Sequence, residues 1–391
     1  MERDPPSAGQ ARRRPSLPLL TSLRFFAAAE VVAFHLAPAR PGLVEPDGIL
    51  SGLLSGGHAA VIFFFVLSGF ILTYAHAGES ERAPCTIEAP RFWRRRFARI
   101  APAYYLALLL ALPILSEVVA QSPASAWSIA AGMASVMLFV QAWWPTYTMF
   151  WNFPAWSLSV ECLFYALFPW LARVLARWPA TTVLAAAYLL IVLTSTFGPE
   201  LLSLAGVLGQ APSDGWLVPG LFPVLHLPLF IVGMALARLY LFGPALSPAL
   251  HAAMLGVGVA VLALIFGGAS VLPAWTRSHA ALAPAFALVI VGGAGAGRSL
   301  PLLTLPAFVL LGEASYSIYI LHIPLRYCWD ILLDSMLGVV LTPWLDFFLY
   351  FGFVVAVSVA VFRRLETPIR KWIAGRERER SHPVAIAAVA G

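Results

Sequence analysis

The sequence predicts an all-α membrane protein: a polytopic bundle of about ten transmembrane helices with both termini in the cytoplasm. Three observations predict it. Of 391 residues, 60% are hydrophobic and only 11% are charged, a balance outside the range of soluble globular chains. Apolar runs near 20 residues recur along the chain, the length at which a helix crosses a bilayer core of about 30 Å. Those runs are Leu, Ala, Val and Phe without period-two alternation, which excludes an outer-membrane barrel, whose strands alternate between lipid and lumen.

The runs lie near 22–38, 58–76, 100–116, 127–143, 155–172, 180–197, 219–238, 248–267, 280–297, 303–323 and 338–361. Eleven runs conflict with the charge pattern. Basic residues cluster before the first run (Arg12, Arg13, Arg14), in "RFWRRRFAR" at 91–99, and in "RRLETPIRKWIAGRERER" after the last run. The positive-inside rule places all three in the cytoplasm and requires an even number of crossings. Removing 127–143 as a full span satisfies it: that run, with its sequel "WWPTYTMFWNFP", lies at the outer interface or re-enters. Arg173, Arg177, Arg238 and Arg298 then fall inside as well, leaving Arg277 and Arg326 outside. The chain divides into a tail over 1–20, a transmembrane domain over 21–373 and a tail over 374–391.

The first span, "SLRFFAAAEVVAFHL", carries Arg24, Glu30 and His35. These ionisable residues interrupt what otherwise resembles a signal peptide, so the segment is expected to stay as a span. Arg24 and His35 are eleven apart, which is three helical turns: one face, roughly 16 Å along the axis. Ala27, Ala28 and Val31 lie between them, forming a small-residue groove. Glu30 falls on another face. Ionisable residues inside a span are costly and are functional candidates by default.

The second span contributes Ser68 and Gly69 in an aromatic setting, where a small residue admits close approach. The inner loop before the third span sets Arg91, Arg94, Arg95, Arg96 and Arg99 among aromatics. Such a cluster anchors topology and contacts anionic lipid, and guanidinium forks also match phosphate oxygens. In the fourth span Ser157, Glu161 and Tyr165 repeat every four residues and form one polar stripe. Glu161 is expected near the depth of His35, where a carboxylate orients an imidazole. The ninth span places Ser315, Tyr319 and His322 on one face, with His322 at its outer end.

Other chemistries lack a signal. Cys85, Cys162 and Cys328 are widely separated, with no metal-ligand spacing, so neither a disulfide framework nor a metal site is expected. No phosphate-binding glycine loop, zinc helix or nucleophile elbow occurs. The net charge of +6 follows from membrane topology and gives no support for nucleic-acid binding.

Taken in order, "RFFAAAEVVAFH", "FFFVLSGFIL", "RRFARIAPAYY", "WSLSVECLFY", "SYSIYILH" and "ETPIRKW" resemble the membrane acyltransferase type 3 family across 22–372. The resemblance implies ten spans in the cell inner (plasma) membrane and O-acylation, commonly acetylation, of carbohydrates, polysaccharides, lipids or glycosylated small molecules. It implies His35 and Glu161 as catalytic residues and Arg24, Arg96 and Arg99, with Ser68 nearby, on the donor side. Ser157, Tyr165, Ser315, Tyr319 and His322 are acceptor-side candidates. The donor is acyl-CoA as co-substrate, without further cofactor. The tyrosine common in the family's basic motif is Ala101 here, which leaves the arginines intact, and the chain is expected to be the stand-alone form without an appended hydrolase-like domain.

On this reading the basic loop and Arg24 hold the CoA phosphates. The pantetheine arm threads over Ala27 and Ala28, and His35 acts as general base on an acceptor hydroxyl. The rival reading is a transporter or exporter, since ion-coupled carriers also use intramembrane Arg, Glu and His. No inverted repeat supports it. A different membrane O-acyltransferase class with an intramembrane histidine is a second rival, which the motif order opposes.

Overall fold

A computed structural model describes residues 14–37, 42–45, 48–83, 87–121, 124–204 and 220–373, and every regular element among them is helical. The expected tail residues 1–13 and 374–391, Cys85 and the first residue of the 219–238 run lie outside the described residues.

Among the described residues, eight helices are long and apolar enough to cross a membrane, and two bent helix pairs raise the count to ten if each is one span. In chain order the helices are α1 (Pro18–Leu36), α2 (Ile49–Leu54), α3 (Gly57–His76), α4 (Ala89–Leu110), α5 (Leu112–Gln121), α6 (Ala126–Met137) and α7 (Trp156–Leu175). There follow α8 (Ala180–Leu204), α9 (Pro223–Phe242), α10 (Pro248–Gly267), α11 (His279–Gly295), α12 (Pro306–Glu313), α13 (Ser315–Asp330) and α14 (Pro343–Val361).

The 127–143 run is resolved by length. Its helix α6 has 12 residues, about 18 Å at 1.5 Å per residue, far short of the hydrocarbon core. Short 3₁₀ turns at Gln141–Trp143, Pro145–Tyr147 and Phe153–Ala155 then lead into α7. In this stretch Trp151 takes a positive φ of 112°, a conformation a bulky residue holds only when its surroundings impose it. Its indole nitrogen donates to the Leu108 carbonyl at 3.1 Å, and the Asn152 amide donates to the Ile320 carbonyl at 3.1 Å. The connection thereby fixes the start of α7 against α4 and α13.

Two expectations are corrected. The basic segment before the third span is not a loop: α4 begins at Ala89 and carries the arginines in its first turns before bending 55° into α5. The 303–323 run is not one straight span but α12 and α13, bent by 58° at Ala314.

The most extensive helix contact is between α3 and α9. It is made possible by glycine: a Cβ on Gly69 would stand 2.0 Å from the Phe230 carbonyl oxygen, and one on Gly233 would stand 1.9 Å from that of Val66. The two backbones touch, which is how helices associate where no hydrophobic effect drives them together. Around this pair α1, α7 and α11 pack, while α13 joins α1, α4 and α14. The outer helices α8, α10 and α14 leave large apolar side chains such as Leu189, Phe197, Leu264 and Phe348 exposed, as lipid-facing surfaces require.

Several charged groups in the bundle are paired. Buried Arg238 on α9 donates to the carbonyls of Leu175 at 2.8 Å, Trp178 at 2.6 Å and Glu81 at 3.2 Å. Arg326, one of the two arginines left on the outer side by the charge count, forms ion pairs with Asp330 and, at 2.8 Å, with buried Asp346. Glu30, which shares no face with Arg24 and His35, lies against Gly56 at the start of α3.

Candidate functional site

A cavity of about 310 Å³ opens between α1, α3, α4, α7, α13 and the chain beyond α14. Helical spacing builds it. Arg24 projects from α1 with Leu20 and Thr21, and α3 contributes Phe64 and Ser68, four apart. On α4, Arg96 and Arg99 are partly buried and line the cavity, whereas Arg94 and Arg95 point outward. One helix thus divides the basic cluster into an exposed set and an inward pair. The whole predicted stripe of α7, Ser157, Glu161 and Tyr165, faces the cavity, as do Ser315 and Tyr319 of α13.

The chain beyond α14 adds residues to which the sequence assigned no role. A π-helical turn, Phe362–Glu366, turns Glu366 inward, and Arg370 follows one turn later. The Ser317 hydroxyl donates to Glu366 and the Tyr316 hydroxyl donates to the Ile100 carbonyl at 2.7 Å. The "ETPIRKW" motif was the available signal, but nothing in it said which bundle cavity it would enter.

The charges are unevenly satisfied. Arg24, Arg96, Arg99 and Arg370 share the cavity with Glu161, Glu313 and Glu366. Glu161 accepts from the Tyr165 hydroxyl, and Glu366 from Ser317. Among the described residues no ion pair joins Arg24, Arg96 or Arg99 to a carboxylate. Arg96 instead lies over the rings of Phe92 at 5.4 Å and Tyr165 at 5.9 Å, a cation–π arrangement that holds a guanidinium without neutralising it. Ser315 is fully buried with an unpartnered hydroxyl, and it is the first residue of α13, so the positive end of that helix adjoins the cavity. A cavity lined by several guanidiniums that lack carboxylate partners is suited to a polyanionic ligand.

Glu161 does not stand against His35. Its hydrogen bond is to Tyr165 and its electrostatic neighbours include Arg24 and Arg96. The sequence expectation matched depths along two helices without knowing their relative height. Ser157, not Glu161, meets α13: its hydroxyl is 2.7 Å from that of Tyr319, which also donates to the Pro154 carbonyl at 2.9 Å.

His35 lies beyond that pair, next to His322 rather than a carboxylate. His35 Nδ1 and His322 Nε2 are 2.9 Å apart, with ring centroids 4.9 Å apart and ring planes 27° from parallel. His35 is partly buried and His322 fully buried. The rings of Phe34 and Phe153 meet His35 edge-on, each at 4.9 Å. Neither histidine lines the cavity, nor do Ala27 and Ala28. Phe64 and Tyr319, with ring centroids 6.3 Å apart, occupy the space on that side. Arg24 and His35 therefore serve two compartments, a basic chamber and a histidine pair, with the Ser157–Tyr319 contact between them. The acceptor-side candidates are divided too: Ser157, Tyr165, Ser315 and Tyr319 line the basic chamber and His322 adjoins His35.

A second histidine group, His58, His226 and His279, sits where α3, α9 and α11 begin, with His279 centroids 5.7 and 5.1 Å from the other two. Among the described residues no group of three or more His, Cys, Asp or Glu side chains could hold a metal ion.

With this geometry, comparison with known proteins becomes informative. Residues 19–363 match a family model described as an acyltransferase domain. The acyltransferase MdmB of Streptomyces mycarofaciens is 32% identical over 231 residues, covering 56% of this chain and 57% of that protein. The O-acetyltransferase OatA of Staphylococcus aureus (strain NCTC 8325 / PS 47) is 30% identical over 162 residues, covering 39% of this chain and 24% of that protein. The peptidoglycan O-acetyltransferase OatA of Listeria monocytogenes is 26% identical over 175 residues, covering 42% and 25%. The matched part is thus about half of the first relative and a quarter of the others. No solved structure matches.

Proposed function

Because the chain belongs to the membrane acyltransferase type 3 family, and so is an enzyme that transfers acyl groups, we propose that it moves an acyl group from acyl-CoA to a hydroxyl of a carbohydrate or glycosylated acceptor. Membership sets aside the carrier reading. The observation that supports the donor is the chamber in which Arg24, Arg96 and Arg99 lack carboxylate partners, since CoA brings phosphates at one end and a thin arm ending in the thioester. A carbohydrate acceptor is supported by the Listeria relative, a peptidoglycan O-acetyltransferase. The acyl group is proposed to be acetyl and the site to be the plasma membrane, with the basic chamber on the cytoplasmic side.

In this mechanism the guanidiniums hold the phosphates and the arm extends toward Tyr319 and Ser157. The two hydroxyls part so that the thioester reaches His35. His35 Nε2 removes the acceptor hydroxyl proton as the oxygen attacks the thioester carbonyl. A C–O bond forms, the C–S bond breaks, and the thiolate takes the proton from the imidazolium to leave as free CoA. General-base assistance of this kind contributes about 10²–10⁴-fold. Glu161 tunes the chamber through Tyr165, Arg24 and Arg96 and does not act on the imidazole.

The test uses the full chain in lipid nanodiscs with acetyl-CoA and a panel of oligosaccharides and glycosylated small molecules. Expected are thiol release that depends on the acceptor and a matching acetyl mass on the product. His35→Ala, at equal membrane abundance, should lose both. Full activity in that variant eliminates His35 as base, and acylated product without thiol release eliminates acyl-CoA as donor.

A further inference from the structure

We infer that His322 is a positioning residue that fixes the tautomer of His35, presenting the His35 Nε2 lone pair to the acceptor; this rests on His35 being the general base. The inference follows from which atoms are able to donate. His322 Nδ1 lies 2.6 Å from the Tyr319 carbonyl oxygen. A carbonyl only accepts, so Nδ1 carries the hydrogen. In the neutral ring this leaves Nε2 as an acceptor, and Nε2 lies 2.9 Å from His35 Nδ1. His35 Nδ1 must then donate.

A second constraint agrees. A protonated His322 would present N–H at Nε2 and force His35 Nδ1 to accept, but His322 is fully buried with its ring nitrogens on the Tyr319 carbonyl and His35 and, among the described residues, on no carboxylate, and a charge buried in that way is costly. Both constraints give one arrangement: His35 protonated on Nδ1 and free on Nε2.

The ring of His322 is held where this requires. It is 1% exposed, and its own carbonyl accepts from the Tyr350 hydroxyl, on a side chain that is fully buried. The part played by a carboxylate in a hydrolase triad, orientation and tautomer selection, is here played by a neutral imidazole in an apolar setting, where an isolated carboxylate would be costly. As His35 takes the acceptor proton on Nε2, its Nδ1–H becomes a charged donor to His322, and that bond strengthens.

Two measurements test this. In wild-type protein carrying ¹⁵N-histidine, nuclear magnetic resonance reads which His35 nitrogen bears hydrogen, with His35→Ala used to assign the signal. Hydrogen on Nδ1 supports the inference, and hydrogen on Nε2 overturns it. The second is a pair of near-isosteric variants. His322→Gln keeps an acceptor near the Nε2 position, whereas His322→Asn keeps polarity only near Nδ1. At matched membrane abundance, Asn should lower kcat about 10²-fold, the low end for a general base, with KM for acetyl-CoA unchanged. Gln should recover to within about tenfold of wild type. Equal losses in the two variants, or a loss confined to KM, overturn the positioning role. The resonance result is independent of turnover: full activity of His35→Ala removes the general base without changing the tautomer, and Nε2–H removes the tautomer without changing the general base.

Discussion

Removing one inward arginine of α4 should weaken donor binding while leaving the chemical step intact. Arg99→Gln is the informative change, because Arg99 lines the chamber, has no carboxylate at ion-pair distance among the described residues, and lies within electrostatic reach of Arg24 and Arg370. A hydrogen bond from a charged donor is worth about 1.5–3 kcal/mol, which is roughly 10–150-fold in affinity. The other guanidiniums offset part of the loss, since taking one charge out relieves their mutual repulsion. The expected result is therefore near the lower end, a rise of about 10–30-fold in KM for acetyl-CoA with kcat within about threefold. Ionic strength gives a second reading: from 0.1 to 1 M salt the screening length falls from about 10 to about 3 Å, so the wild-type KM should rise more steeply than that of the variant. Thiol release in nanodiscs measures both. Arg94→Gln, on the outward side of the same helix, is the control. An unchanged KM for Arg99→Gln, or equal effects in the two variants, would refute the division of the basic cluster into a ligand-binding pair and an exposed set.

Other consequences concern the scaffold. Gly69→Ala places a Cβ 2.0 Å from the Phe230 oxygen, so α3 and α9 must move apart; a loss of about 2–3 kcal/mol is expected, read as a lower melting temperature in detergent. Unchanged melting would contradict the close crossing. Arg238→Met strips charged donors from the carbonyls of Leu175, Trp178 and Glu81 and should cost about 3–5 kcal/mol, with Arg238→Lys intermediate because one ammonium replaces a planar fork. A methionine variant that melts like wild type would show those carbonyls to be otherwise satisfied.

Much of the bundle was legible in the sequence because the bilayer is a demanding solvent. Backbone groups must be satisfied internally, so an apolar run of about 20 residues has little choice but helix. The even-span argument from Arg12–Arg14, 91–99 and 363–380 anticipated that 127–143 does not cross, and α6 is indeed too short. The bend at Ala314 and the early start of α4 were not legible. Gly312 lies two residues before Ala314, but a lone glycine inside an apolar run does not by itself announce a bend, and the arginines of 91–99 read as a loop because charge there signals topology rather than conformation.

Helical periodicity alone determined which residues share a face: Arg24 with His35, Ser157 with Glu161 and Tyr165, Ser315 with Tyr319. It determined the chemistry each helix carries, because spacing along one helix is a local property. Only the tertiary structure decided which of these stripes meet, since relative height and rotation depend on contacts between distant segments. The crossing at Gly69 and Gly233 and the start of α7 imposed by Trp151 and Asn152 are such contacts. They place Glu161 among arginines rather than beside His35, and bring His322, 287 residues away in the chain, to within a hydrogen bond of it.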